Sequence, residues 1–194
     1  MFTEQVQSRS QQKTNTHARI THAASRLFLS AGPSVTVRQV ADAAGVSVGS
    51  VMGVADKDGL IVHTLDAVLA EVGAHPSRTA ADDAAAVTQL LRPFVEWFSE
   101  HADLARAYLA ILVSGRHRSE VFDTLAEQLI GTITAVLEHH PDAESRARLI
   151  HRAYLGELMI WAGSNVTDPE HTLAEIEASV RAAIGTERRH GTHR

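Results

Sequence analysis

Apolar residues recur along this chain every three or four positions, and no stretch alternates convincingly enough for a strand. Over residues 15–31 the stripe Ile20, Ala23, Ala24, Leu27 and Phe28 predicts an amphipathic helix ended by Gly32-Pro33. A short helix follows Ser34 or Thr36, turns Val37, Val40, Ala41 and Ala44 inward and stops at Gly45. Ser47 caps a third helix, and Asp56 a fourth that carries Leu60, Ile61, Thr64, Leu65, Val68 and Leu69 to about residue 72. The run GAHPSRT, residues 73–79, then breaks the pattern and marks the best joint in the chain. Helical runs resume over residues 80–100, 103–114, 119–139, 142–162 and 169–184, the last with Asp168 as N-cap and Pro169 in its first turn. Pro93 predicts a kink or a break near Arg92. The expectation is an all-α chain of about nine helices.

Composition supports this and narrows the class. Of 194 residues, 44% are hydrophobic, enough for a substantial core, and no apolar run approaches the roughly 20 residues of a membrane span. No cysteine is present, which excludes disulfides and thiolate metal sites. The polar N-terminus has no apolar signal core, so a cytoplasmic protein is expected. The net charge of −5 argues against general coating of nucleic acid. Its distribution is uneven, however: residues 1–58 carry +2 and the remainder −7. Only the first part suits an anionic partner.

That part also holds the most informative spacing. Two short helices joined by a tight turn and packed on a longer one make a helix-turn-helix. Ala41 is small where the helices cross, and Gly45 stands where the turn needs a left-handed backbone. Val46 is expected as a buried plug. Ser47 caps the helix whose first residues would enter a major groove.

The stretch from Ala18 to Val51, ARITHAASRLFLSAGPSVTVRQVADAAGVSVGSV, resembles the N-terminal domain of TetR-family transcriptional repressors. Ile20, Ala23-Ala24, Leu27-Phe28, Gly32, Thr36-Val37, Val40-Ala41 and Ala44-Gly45-Val46-Ser47 carry the resemblance, and Gly49, Lys57 and Leu60 extend it. The resemblance implies a three-helix DNA-binding domain followed by a helical ligand-binding and dimerisation bundle. It implies a homodimer joined through its last two long helices, with two recognition helices on a near-palindromic operator. Thr36 and Lys57 match phosphate-contacting positions, Arg38 a base- or phosphate-contacting one, and Ser47, Val48 and Ser50 the exposed face of the recognition helix. The departures lie just beyond. Met52 replaces an aromatic phosphate contact, Ala55 replaces a packing Phe, and the segment is one residue short. Gly53 and Gly59 would each cost about 1 kcal/mol of helix stability relative to Ala.

These readings divide the chain into a disordered arm (1–14), a DNA-binding domain (15–58), a ligand-binding and dimerisation domain (59–185) and a flexible tail (186–194). The function expected is a ligand-responsive homodimeric regulator, most simply a repressor, with a largely apolar effector. The alternative is a dimer of the same fold that has lost sequence-specific DNA binding and acts as a ligand- or protein-binding module. Trp97, Tyr108, Phe122, His151 and Tyr154 are the candidate pocket residues; His151 and Tyr154, one turn apart, share a helix face. No catalytic set and no cofactor motif stands out, so no enzymatic activity is expected. The twelve histidines lack metal-ligand spacing, and His139-His140 reads as a helix-dipole cap rather than a metal site. Small residues in the last two helices, among them Ala153, Gly156, Ala174, Ala178 and Ala182, suit a close helical interface.

Overall fold

The computed structural model describes residues 2–73 and 80–185, with side chains from residue 11. The expected GAHPSRT joint beyond Gly73 and the expected tail lie outside the described residues. Within them the chain is all-helical. The elements are α1 (Phe2–Ala31), a 3-10 turn (Gly32–Ser34), α2 (Val37–Ala44), α3 (Val48–Met52), α4 (Lys57–Val72), α5 (Asp83–Glu100), α6 (Ala102–Val113), α7 (Glu120–Val136), α8 (Ala143–Ala162) and α9 (Pro169–Ile184). Among the described residues no helix is long and apolar enough to cross a membrane.

Helix α1 starts at Phe2, well before residue 15, so the stretch expected as a disordered arm continues the helix. Its residues contain no Gly or Pro to stop it. Thr16, inside the helix, donates its hydroxyl to the Gln12 carbonyl at 2.9 Å. Helix α5 runs through Pro93 without a break. The missing hydrogen bond is offset by a buried face of Val87, Leu90, Leu91, Phe94, Val95 and Phe98.

The chain forms two compact units. The described residues of unit one are 2–68 and 101–119; those of unit two are 69–73, 80–100 and 120–185. The division falls inside α4, later than the boundary expected after residue 58, and α6 joins unit one although the sequence places it in the second domain. A buried polar cluster accounts for this. Tyr108 of α6, fully buried, donates its hydroxyl to Asp66 Oδ1 of α4 at 3.0 Å. Ser119 donates to the same oxygen at 2.6 Å. Around them Ile20, Ala24, Phe28, Val40, Ala41, Val51, Leu60 and Leu65 form the core of unit one.

Unit two packs α5 and α8 on α9, and α7 on α8 and α5. Ile133, Ile150, Leu158, Ile176 and Val180 join the α5 face in its core. Arg92 on α5 pairs with Glu170 at the start of α9. Arg181 near the other end of α9 holds Asp82 at 2.8 Å. Arg146 donates to the Ala183 carbonyl at 3.0 Å, satisfying an orphan acceptor at the end of α9.

Candidate DNA interface and apolar cavity

The turn between α2 and α3 is built by capping at both ends. Thr36 caps α2: its hydroxyl accepts from the Gln39 amide, and the Gln39 side chain accepts from the Thr36 amide, a reciprocal capping box. Gly45 ends α2 at φ 63°, and its amide returns to the Ala41 and Asp42 carbonyls. A Cβ there would lie 2.9 Å from Arg19 Nη2. That guanidinium reaches over from α1 to donate to the Ala44 and Gly45 carbonyls at 2.5 and 3.2 Å, stapling the turn to the first helix. Val46, expected as a buried plug, is half-buried; its amide bonds the Ala41 carbonyl at 3.0 Å.

Ser47 caps α3 by accepting from the Ser50 amide, and the two hydroxyls lie 2.9 Å apart. Val51 is fully buried under the helix, whereas Ser47, Val48, Gly49, Ser50 and Met52 are exposed. Thr36 and Arg38 are exposed and Lys57 is half-buried. The hydroxyls of Thr36, Ser47 and Ser50 thus share one property: each is engaged inside the protein and must reorient or bifurcate to meet DNA.

A cation given no role by the sequence, Lys13, lies close by. Because α1 extends, Gln12, Lys13, Thr16 and His17 line a groove of about 490 Å³ opposite Ser50, Gly53 and Val54. The only sequence signal was the absence of a helix breaker before residue 15.

The atypical segment after α3 also packs for a reason. Asp56 caps α4, accepting from the Gly59 amide at 2.8 Å, and this bond holds its carboxyl below the usual range. His117 lies 3.2 Å from the same carboxylate, and Arg116 lies 3.2 Å from Asp58. A Cβ on Gly59 would meet Ala55 Cβ at 3.0 Å, Asp56 Oδ1 at 3.2 Å and His117 Cε1 at 3.4 Å. Gly59 is therefore a point of close approach, not merely a weak helix residue.

In unit two a cavity of about 40 Å³ opens among α5, α7, α8 and the end of α4. Phe94, Phe98, Phe122, Leu129, Leu155 and Leu158 supply apolar walls, and His151 and Tyr154 are the polar residues among its lining. Among the described residues, neither the His151 ring nor the Tyr154 hydroxyl has a hydrogen-bond partner. Burial pushes the tyrosine's pKa above its ordinary value and the histidine's below, which favours a neutral imidazole. Phe122, His151 and Tyr154 are thus brought together. Trp97 and Tyr108 are not: Trp97 packs edge-on against Phe98, with ring centroids 5.9 Å apart, and Tyr108 lies in unit one. Helical periodicity marks an aromatic as inward-facing but does not say which helices it faces.

The depressed pKa of His151 has a sign that can be tested. The unfolded chain takes up a proton near pH 6.5 and the folded chain at a lower pH. The stability at stake is fully present above pH 6.5 and is lost as pH falls from there through the folded value. Urea-unfolding midpoints of wild type should therefore drop more steeply from pH 7 to 5 than those of His151→Phe; parallel curves would exclude the effect.

Helices α8 and α9 leave two strips uncovered. On α8, Leu149, Gly156 and Ile160 are exposed, with half-buried Ala153 between them; Ile160 is 69% exposed. A Cβ on Gly156 would meet nothing within 4 Å. On α9, Ala174, Ala178 and Ala182 form a matching line of exposed small residues.

No protein-family profile matches the sequence, and no curated relative does. Solved structures do match. A TetR transcriptional regulator from Rhodococcus sp. RHA1 superposes with a TM-score of 0.60 at 16% identity, covering 92% of this chain and 99% of its own. FadR of Thermus thermophilus, a TetR-family transcriptional repressor solved in complex with lauroyl-CoA, gives 0.61 at 20% identity, covering 92% and 98%. The fold is that of the TetR-family transcriptional regulators. A further Rhodococcus sp. regulator gives 0.57 at 23% identity, covering 87% and 96%. That fold joins an N-terminal helix-turn-helix domain to a helical C-terminal domain.

Proposed function

We propose that the protein is a ligand-responsive, homodimeric transcriptional regulator, most simply a repressor, that binds a near-palindromic DNA operator. The observation that carries this reading is the recognition turn: a left-handed Gly45 stapled by Arg19, followed by a capped helix whose outer face is open to solvent. Arg38, Thr36 and Lys57 would meet phosphates or a base edge. Ser47 and Ser50 would offer hydroxyls, and Val48 a methyl surface for thymine. Lys13 and His17 line one groove with Ser50, and would stand in for the aromatic clamp absent at Met52. The strips on α8 and α9 would pair across a two-fold axis, where small residues allow close helix approach.

The effector would enter the cavity beside His151 and Tyr154. An apolar molecule with one hydrogen-bonding group fits that lining. A cavity this small admits it only after α7 shifts, so the ligand would select one arrangement of unit two over another. Leu69 would report that shift, since it lies in the last turn of α4, the helix that follows α3 in the chain.

The test is a fluorescence-anisotropy titration of the full chain against DNA flanking its own gene, at stated salt. A nanomolar complex that competitor DNA does not displace is expected. Lys13→Ala should weaken it about threefold to tenfold and lower the salt slope by about one. Equal affinity for flanking and random DNA would instead support the second reading, a dimer without sequence-specific binding. The internal engagement of the Thr36, Ser47 and Ser50 hydroxyls is the observation that favours that alternative.

A further inference from the structure

His139 and His140 follow α7 in a tight turn, in which the His140 amide returns to the Leu137 carbonyl at 2.8 Å. The chain then passes through Pro141 to Asp142, which sits in the left-handed region at φ 57°. This turn does not aim the two imidazoles at the end of α7. It aims them at the first residue of α5. His139 Nε2 lies 3.0 Å and His140 Nε2 2.8 Å from the same oxygen, Asp83 Oδ2, and the rings are 4.5 Å apart. One ligand atom from each of the three residues falls within 4.8 Å of the others.

From this convergence we infer a binding site for one borderline divalent transition-metal cation, of the Zn²⁺, Co²⁺ or Ni²⁺ type, held by His139, His140 and Asp83. Two imidazole nitrogens and a carboxylate oxygen are the donors such ions prefer; Mg²⁺ and Ca²⁺ would favour an all-oxygen set. Ligands about 2.0–2.1 Å from a tetrahedral Zn²⁺ stand about 3.3–3.4 Å apart. The two observed N···O spacings are a few tenths of an ångström shorter, and the two imidazole nitrogens lie within 4.8 Å of each other, so modest side-chain shifts would seat the ion. His139, whose side chain is 60% exposed, has the freedom to do so, while His140 and Asp83 are more enclosed. The fourth position faces solvent beside His139 and would be taken by water. Hydrogen bonding alone does not require both imidazoles to use one oxygen when Asp83 carries a second; coordination of a single ion does bring the donors to one point.

The site was illegible in the sequence because Asp83 is far along the chain from the histidine pair, so no ligand spacing exists to be read. Its consequence is mechanical. A bound cation would tie the start of α5 to the turn after α7, two helices that wall the apolar cavity. It would also bind folded protein in preference to unfolded, and so raise the melting temperature with ion concentration.

The test uses Co²⁺ as both ligand and reporter, with the full chain. Titration should show one ion per chain with the visible d–d absorption of a tetrahedral N/O site. Asp83→Asn and His140→Gln should each weaken binding roughly tenfold or more. Their far-UV circular dichroism and metal-free melting should match wild type. Should either variant fold poorly, His139→Gln at the exposed position serves in its place and should lose the spectrum equally. A wild-type chain that takes up no Co²⁺ at about 100 µM overturns the site. So does binding that all three substitutions leave unchanged, which would locate the ion on other histidines. Neither result bears on DNA binding, which is measured separately.

Discussion

Tyr108→Ala should destabilise the protein by about 3–5 kcal/mol, the cost of emptying a fully buried aromatic site. The more informative variant is Tyr108→Phe. It keeps the ring and removes only the hydroxyl that donates to Asp66 at 3.0 Å. Asp66 is then left with Ser119, at 2.6 Å, to satisfy the shared oxygen. The expected loss is about 1–3 kcal/mol, the penalty for removing one donor from a partly buried acceptor. Because Tyr108 is on α6 and Asp66 on α4, the damage falls within the unit that carries α3, the proposed recognition helix. DNA affinity should therefore fall with stability at elevated temperature even though neither residue is near α3 in sequence. Denaturant unfolding of the two variants checks the prediction. A Phe variant as stable as wild type would show that the hydroxyl contributes nothing net.

Ile160→Lys should turn the proposed dimer into a monomer. Ile160 is 69% exposed and continues the line of exposed Leu149 and Gly156 on α8, the strip proposed to pair across a two-fold axis. In a two-fold interface each substitution occurs twice, so two lysines replace two apolar contacts and face like charge. An increase of about 100-fold or more in the dimer dissociation constant corresponds to roughly 2.7 kcal/mol, within the range of a single interface hot spot. Val113→Lys is the control. Val113 is 72% exposed but lies at the end of α6, in unit one, and so belongs to neither strip. Sedimentation velocity at micromolar concentration separates the outcomes: a wild-type monomer would remove the basis for the interface, and equal effects of both substitutions would mislocate it.

The helices were legible because each rests on local signals. Gly45, Ser47 and Asp168-Pro169 are short-range devices, and the structure uses each where the pattern placed it; of Ser34 and Thr36, Thr36 is the cap of α2. What was not legible depends on distance. Tyr108 repeats with helical period, as a bundle residue would, yet its partner Asp66 assigns α6 to unit one. Gly59 reads as a weak point until Ala55, Asp56 and His117 are seen crowding its missing side chain. Residues 2–14 lack an apolar stripe and so gave no helix signal, although nothing in them opposes one. His151, Tyr154 and Phe122 meet because α7 packs on α8, whereas Trp97, equally inward by period, turns to Phe98.

The small cavity in unit two carries a further consequence for how strongly any effector is held. If only a minority of molecules have α7 displaced far enough to admit a ligand, the measured dissociation constant is the intrinsic one divided by that fraction. A competent population of about 1% would make binding appear about 100-fold weaker than the contacts alone warrant. Affinity is then set as much by the packing of Leu129 and Leu158 in the empty state as by anything the ligand touches. Substitutions that loosen this packing would sensitise the protein to the proposed effector without adding a single new contact.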